Sequence, residues 1–99
     1  MSDDVLYEKI IHENTDKGFQ LRLVLNEFRD KEYLHLRKYF LSFEDGYIPT
    51  KEGASMEASI QNIYSLLDGL LELVSKCEGI DGIEEHFKNK ILDLKSQSE

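Results

Sequence analysis

Tyr33, His35, Arg37 and Tyr39 stand two residues apart, so in an extended strand their side chains share one face. Aromatic rings interleaved with cations on an open strand offer flat platforms for unstacked bases and positive charge to track phosphates. Each stacked base contributes about 1–3 kcal/mol, so two or three platforms suffice without a large positive net charge. Phe28, Arg29 and Lys31 lie just upstream at a hairpin tip, and Arg22 lies on the preceding run. The bland alternative is that these are simply good strand formers, with Tyr and Arg packing across strands.

No catalytic set accompanies them. His12, His35 and His86 fall in three different elements, and none has a Cys, His or Asp at metal-ligand spacing. Carboxylates are plentiful but flank turns and helix faces, where charge is usually solvated surface. There is no phosphate-cradling glycine loop and no nucleophile elbow. The expectation is a binding protein with no metal, no cofactor and no catalytic residue.

The elements that must position these side chains follow from period and turn chemistry. Val5 to Ile11 reads as a strand interrupted by Glu8 and Lys9, and Thr15-Asp16-Lys17-Gly18 as a turn. From Phe19, the residues Phe19, Leu21, Leu23 and Leu25 point one way, and Gln20, Arg22, Val24, Asn26 and Phe28 the other. Arg29-Asp30-Lys31-Glu32 connects this strand to a second one, Tyr33 to Phe43, on which Leu34 and Leu36 face the core. Glu44-Asp45-Gly46 makes another turn, Tyr47-Ile48 a short strand, and Pro49 to Gly53 a loop or irregular strand.

Ser55 is a plausible cap for a helix in which Met56, Ile60, Ile63, Leu67, Leu70, Val74 and Cys77 recur at three- and four-residue spacing. Tyr64 and Leu71 widen that stripe, and Leu66 and Leu73 add a flank. One sheet face cannot cover so much apolar circumference. A two-fold copy of the same helix is the economical cover, with Ile60, Ile63, Tyr64, Leu67, Leu70, Leu71 and Val74 at the interface. A last helix capped by Asp81, with Ile83, Phe87, Ile91 and Leu94 on one side, could cover it instead. The thin core of a four-stranded sheet with one helix favours the dimer.

Ninety-nine residues make one domain at most. It divides into an N-terminal strand and turn (1–18), antiparallel strands bearing the candidate face (19–53), a dimerisation helix (54–78), and a C-terminal helix with an acidic tail (79–99). The net charge of −8 excludes a polybasic nucleic-acid coat. The acid is uneven, however: residues 1–18 carry −3, residues 54–99 carry −5, and residues 19–53 are neutral and hold every arginine. Any phosphate is thereby confined to the sheet. The lone Cys77 closes no internal disulfide, the N-terminus is acidic where a signal peptide is basic, and no run approaches the roughly 20 apolar residues of a membrane span. A reducing intracellular setting, cytoplasm, nucleoid or nucleus, is expected.

From Phe19 to about Ser75 the order of features resembles the single-stranded-DNA-binding transcriptional coactivator family, the positive cofactor four fold. The matching parts are Phe28, Arg29-Asp30-Lys31, Leu34-His35-Leu36-Arg37-Lys38-Tyr39-Phe40, Glu44-Asp45-Gly46, Pro49-Thr50-Lys51-Glu52-Gly53 and Ala54-Ser55-Met56. The resemblance implies an α+β homodimer. Each subunit contributes a curved four-stranded antiparallel sheet and a long helix that packs across the two-fold axis; here a short C-terminal helix follows. It implies single-stranded DNA as partner, with Phe28 and Phe40 as stacking platforms and Arg29, Lys31, Arg37 and Lys51 as phosphate contacts. Tyr39 matches a tyrosine of the motif. Where the family carries further cations this sequence has Glu52 and Asn26, and its usual hairpin glycine is replaced by Asp30, so weaker binding carried more by stacking is implied. Arg37 and Phe40, three apart, reach one strand of DNA only through a bulge or strong twist.

The expected function is non-catalytic single-stranded DNA binding, stabilising or annealing melted DNA as an accessory of transcription, replication or recombination in a bacterial, phage or nuclear setting. The alternative is an acidic dimeric interaction module that regulates a polymerase or another replication protein. RNA is a third ligand, since nothing in the sequence reads or excludes a 2′-hydroxyl.

Overall fold

The turns between strands are set by local chemistry. In the computed structural model, which describes residues 4–77 and 79–98, Asn14 closes the first turn by accepting from the Lys17 N–H through Oδ1 and from the Gly18 N–H through its carbonyl, both at 2.9 Å. Met1 to Asp3 of the N-terminal segment, Glu78 and Glu99 lie outside the described residues. Arg29 and Asp30 have φ of 53° and 68°, so a two-residue turn of the twist-matched kind joins the next pair of strands. The connection is thus tighter than the tetrapeptide expected from sequence, and Lys31 and Glu32 belong to the ladder.

Four strands result: β1 Asp4–Asn14, β2 Phe19–Phe28, β3 Lys31–Leu41 and β4 Tyr47–Glu57. They form one antiparallel sheet in the order β1-β2-β3-β4. β1 tolerates Glu8 and Lys9 because register shifts at Val5/Tyr7 and Ile10/His12 take Leu6 and Ile11 out of the pairing and reset the alternation. The β2–β3 ladder is unbroken from Phe19 opposite Phe40 to Phe28 opposite Lys31.

β4 departs most from the sequence expectation. Ser55 and Met56 do not start a helix; they pair with His35 and Leu34 in an edge strand that continues to Glu57. Ladder hydrogen bonds outweigh the modest helix propensity of Ala-Ser-Met-Glu. Pro49 lies on this edge strand, opposite Tyr39, as its missing N–H requires. Residues 50–52 then bulge opposite Lys38, and the Thr50 hydroxyl substitutes for the ladder by donating to the Lys38 carbonyl at 2.8 Å and accepting from the Glu52 N–H at 3.1 Å. Gly53 rejoins the sheet at φ 148°, where a Cβ would lie 2.4 Å from the Leu36 carbonyl oxygen. The helix cap is Ser59, whose Oγ accepts from the Asn62 N–H at 3.1 Å.

The sheet curls toward one face, and at one end a side chain spans its two edges: the Tyr47 hydroxyl of β4 donates to the Glu13 carboxylate of β1 at 3.3 Å. The concave face carries the even-numbered residues of β2 and the odd-numbered residues of β3. Its buried members are Gln20, Val24, Asn26 and Tyr39. Leu34 and Leu36 lie on the opposite, convex face with Leu21, Leu23 and Leu25; Leu34 is half-buried there and Leu36 is 43% exposed. Curvature decides this, because it shields the inner side chains and spreads the outer ones.

α1 Ile60–Cys77 and α2 Ile80–Gln97 follow, each of 18 residues, so the last helix is not short. Asp81 is not its cap but stands in its first turn; Gly79, at φ 88°, precedes the helix with no side-chain cap bond. The chain separates into two compact units, 1–62 and 63–99. In the helical unit Ile83 is buried, whereas α1 buries none of its residues. Leu67, Leu71, Ile83, Phe87 and Ile91 line an open apolar groove there.

Candidate nucleic-acid interface

Register gathers seven of the ten sequence-predicted residues on or beside the concave face. Arg22, Phe28, Lys31, Tyr33, His35, Arg37 and Tyr39 share it, with Arg22 opposite Arg37 and Phe28 opposite Lys31. Arg29 adjoins them at the turn, its guanidinium carbon 4.9 Å from the centroid of the Phe28 ring. The open end of the face thus presents one ring and two exposed cations, Arg29 and Lys31.

Toward the middle a hydrogen-bonded set crosses three strands. His35 Nε2 lies 2.7 Å from Asn26 Oδ1, and His35 Nδ1 meets Ser55 Oγ and, at 3.3 Å, Arg37 Nη2. In the Nε2–H tautomer Nε2–H donates to the amide oxygen, and the single lone pair of Nδ1 is shared between the hydroxyl and the guanidinium. Arg37 is in this way steered by an imidazole, and among the described residues no carboxylate pairs with it.

At the other end the charges are committed. Arg22 donates through Nε to Gln20 Oε1 at 2.8 Å and through Nη1 to Glu8 Oε2 at 3.0 Å. Its guanidinium carbon lies 4.1 Å from the Tyr39 ring centroid. Burial pushes the Tyr39 hydroxyl pKa above its usual value, and a hydrogen bond and charge from Glu8 push it further, against the pull of Arg22 and Arg37. Desolvation and Glu13 raise Tyr47 in the same direction.

Two predicted residues are not brought to this face. Phe40 is on the convex side opposite Phe19, 51% exposed. The register shift near Arg37 falls on β4 rather than β3, so the alternation that separates Phe40 from Arg37 survives. Lys51 is exposed in the β4 bulge, and its neighbour Glu52 holds Lys38 at 3.3 Å. Lys38 also stands 4.7 Å from the Phe19 ring centroid.

Sequence reasoning missed Glu8, Gln20, Asn26 and Ser55 as members of the site. The period of two on β2 placed Gln20 and Asn26 beside Arg22, but only the pairing brings in Glu8 and Ser55. On α1 all seven predicted interface residues, Ile60, Ile63, Tyr64, Leu67, Leu70, Leu71 and Val74, are exposed, between 36% and 65%. Among the described residues no group of His, Cys, Asp or Glu could hold a metal ion, and no helix is long and apolar enough to cross a membrane.

No protein-family model matches this sequence, and no curated protein matches it. A solved structure does. It is described as a bacteriophage T5 homolog of the eukaryotic transcription coactivator PC4, implicated in recombination-dependent DNA replication. The two chains are 25% identical, superpose with a TM-score of 0.68, and match over 90% of this chain and 96% of that one. The chain is PC4-like. Its α+β architecture, a curved four-stranded antiparallel sheet followed by helices, is the one shared with that phage protein, and the sequence resemblance from Phe19 to Ser75 falls within the PC4-like sheet and α1.

Proposed function

We propose that this PC4-like protein binds single-stranded DNA without catalysing a reaction, acting as an accessory of DNA replication or recombination and, in the manner of a coactivator, of transcription. The observation that carries this reading is the open end of the concave face, where the Phe28 ring, the Arg29 guanidinium beside it and the exposed Lys31 lie together and Arg37 follows deeper on the same face. Stacking and phosphate neutralisation are what an unpaired strand needs, and duplex DNA does not fit a ring that must lie against a base. The likeness to a phage PC4 homolog implicated in recombination-dependent replication supports the same assignment.

The working form is a homodimer built on α1. Its exposed apolar stripe exceeds what a monomer normally leaves in water. Residues 1–18 and 19–53 then supply the DNA-binding sheet, the helix within 54–78 the two-fold contact, and 79–99 an acidic appendage. Two concave faces on one dimer would hold two strands side by side, which makes annealing a secondary activity. Phe40 and Lys51, on other surfaces, would serve a strand that wraps from the concave face round the sheet edge.

Titration of labelled single-stranded and duplex oligonucleotides across a salt series tests the reading. Preference for the single strand with a shallow log–log salt slope is expected, since few phosphates are contacted. An unchanged anisotropy at low salt removes the DNA assignment and leaves the rival, an acidic dimer that docks on a polymerase or other protein through its helices. Competition with matched RNA separates the two nucleic acids.

A further inference from the structure

The concave face is asymmetric in how its cations are used. At the hairpin end Arg29 and Lys31 are exposed, and the Arg37 guanidinium meets the His35 ring at 3.3 Å. At the opposite end Arg22 is held on three sides at once, by Glu8, Gln20 and the face of Tyr39. Glu8 comes from β1, the edge strand, and its Oε2 accepts from Arg22 Nη1 at 3.0 Å. Its carboxylate therefore makes with Arg22 the contact that a phosphate oxygen would make.

We infer that Glu8 is an internal competitor for phosphate at Arg22, a carboxylate that occupies the distal half of the concave face and confines a bound single strand to the half that carries Phe28, Arg29, Lys31 and Arg37. The inference rests on the nucleic-acid reading of that face. The ion pair is open enough to exchange, since the Arg22 and Glu8 side chains retain 18% and 36% of their exposure. To reach Arg22 a phosphate must break this pair, so one anion replaces another at the same guanidinium and the net gain is close to zero. Glu13, bridged to Tyr47 across the same end, adds a second negative charge that opposes an incoming strand.

Arg22 has the right type and the right face for a phosphate contact, yet it contributes little while Glu8 is charged. Removing that charge should free the cation, lengthening the footprint toward Gln20 and Tyr39.

Binding of fluorescein-labelled oligo(dT) by the full chain, followed by anisotropy from low to moderate salt, tests this with Glu8→Gln, Arg22→Gln and the double variant. Glu8→Gln is expected to raise affinity at least about threefold at low salt and to steepen the log–log salt slope by about 0.7, the value of one added phosphate contact on a single strand. Arg22→Gln should change the wild-type affinity less than about twofold, and should erase the gain in the Glu8→Gln background. Glu8→Thr, which suits an edge strand, serves if the glutamine variant melts early. The inference is overturned if wild type binds and both Glu8 variants leave affinity and slope unchanged, or if Arg22→Gln weakens wild type as much as it weakens Glu8→Gln. Absence of binding by wild type and every variant overturns the nucleic-acid reading itself, and this inference with it.

Discussion

The sheet and the helices treat polarity in opposite ways. The curled sheet buries Gln20 and Asn26 alongside Val24 and Tyr39, and satisfies them with hydrogen bonds from within the same unit. α1 buries nothing and holds Ile60, Leu67, Leu70 and Leu73 in contact with solvent. A polar cluster whose partners are all supplied locally is complete by itself, whereas an apolar stripe gains free energy only when another surface removes it from water. The sheet is built to present a surface, the helix to lose one.

The contrast is most sharply broken at the helix. Leu67→Glu combined with Leu70→Glu should convert a sedimenting dimer to monomer at micromolar concentration, raising the dissociation constant by roughly a hundredfold or more, as expected when central apolar contacts are replaced by charge. A wild-type chain already monomeric at that concentration would end the dimer proposal and the annealing idea together. Within the sheet the largest effect is expected at Gly53. A side chain there meets the Leu36 carbonyl oxygen and the Arg37 Cα in a φ region that L-residues avoid, so Gly53→Ala should lower stability by about 2–4 kcal/mol in denaturant titration. It should also detach Ser55 from His35 and with it the support of Arg37.

Phe28→Ala tests the exposed end without disturbing the polar cluster. Loss of one stacking ring should weaken oligonucleotide binding by about 1–3 kcal/mol while leaving the melting temperature nearly unchanged. Asp30→Gly works in the opposite direction. Both turn residues are non-glycine at positive φ, so glycine should stabilise the hairpin by about 0.5–1 kcal/mol and tighten binding by removing a carboxylate between Arg29 and Lys31.

The smallest effect concerns pH. Tyr39 has a folded-state pKa raised above its ordinary value by burial first and Glu8 second. The native chain therefore keeps a proton that the unfolded chain releases as the pH passes the ordinary tyrosine value of about 10. Stability should be flat with respect to this group below that pH and decline above it. Tyr39→Phe should remove that decline, and an alkaline limb identical in the variant would assign it to another group.

Which strand residues share the candidate face was legible because a period of two is insensitive to tertiary context. Alternation from Phe19 onward placed Arg22 with Phe28, and Tyr33 with Arg37 and Tyr39, and the unbroken β2–β3 ladder keeps those assignments. The stretch from Ser55 to Ser59 was not legible. Ser55 and Ser59 are both acceptable helix caps, and only pairing with β3, made possible by the glycine beside Leu36, decides that the first is strand and the second cap. Glu8 carried no local signal at all, since its role depends on β1 reaching Arg22 from fourteen residues away.

From its residues alone this protein was committed to an α+β chain with an aromatic and cationic strand face and a helix with a broad apolar stripe. Those are properties of type and spacing, and short-range physics suffices to read them. Only the tertiary structure decided which face of the sheet is concave, which of its arginines are committed to carboxylates, and that Phe40 lies apart from Phe28. Curvature and cross-strand pairing settle such questions, because they depend on contacts between residues that the chain must fold to bring together.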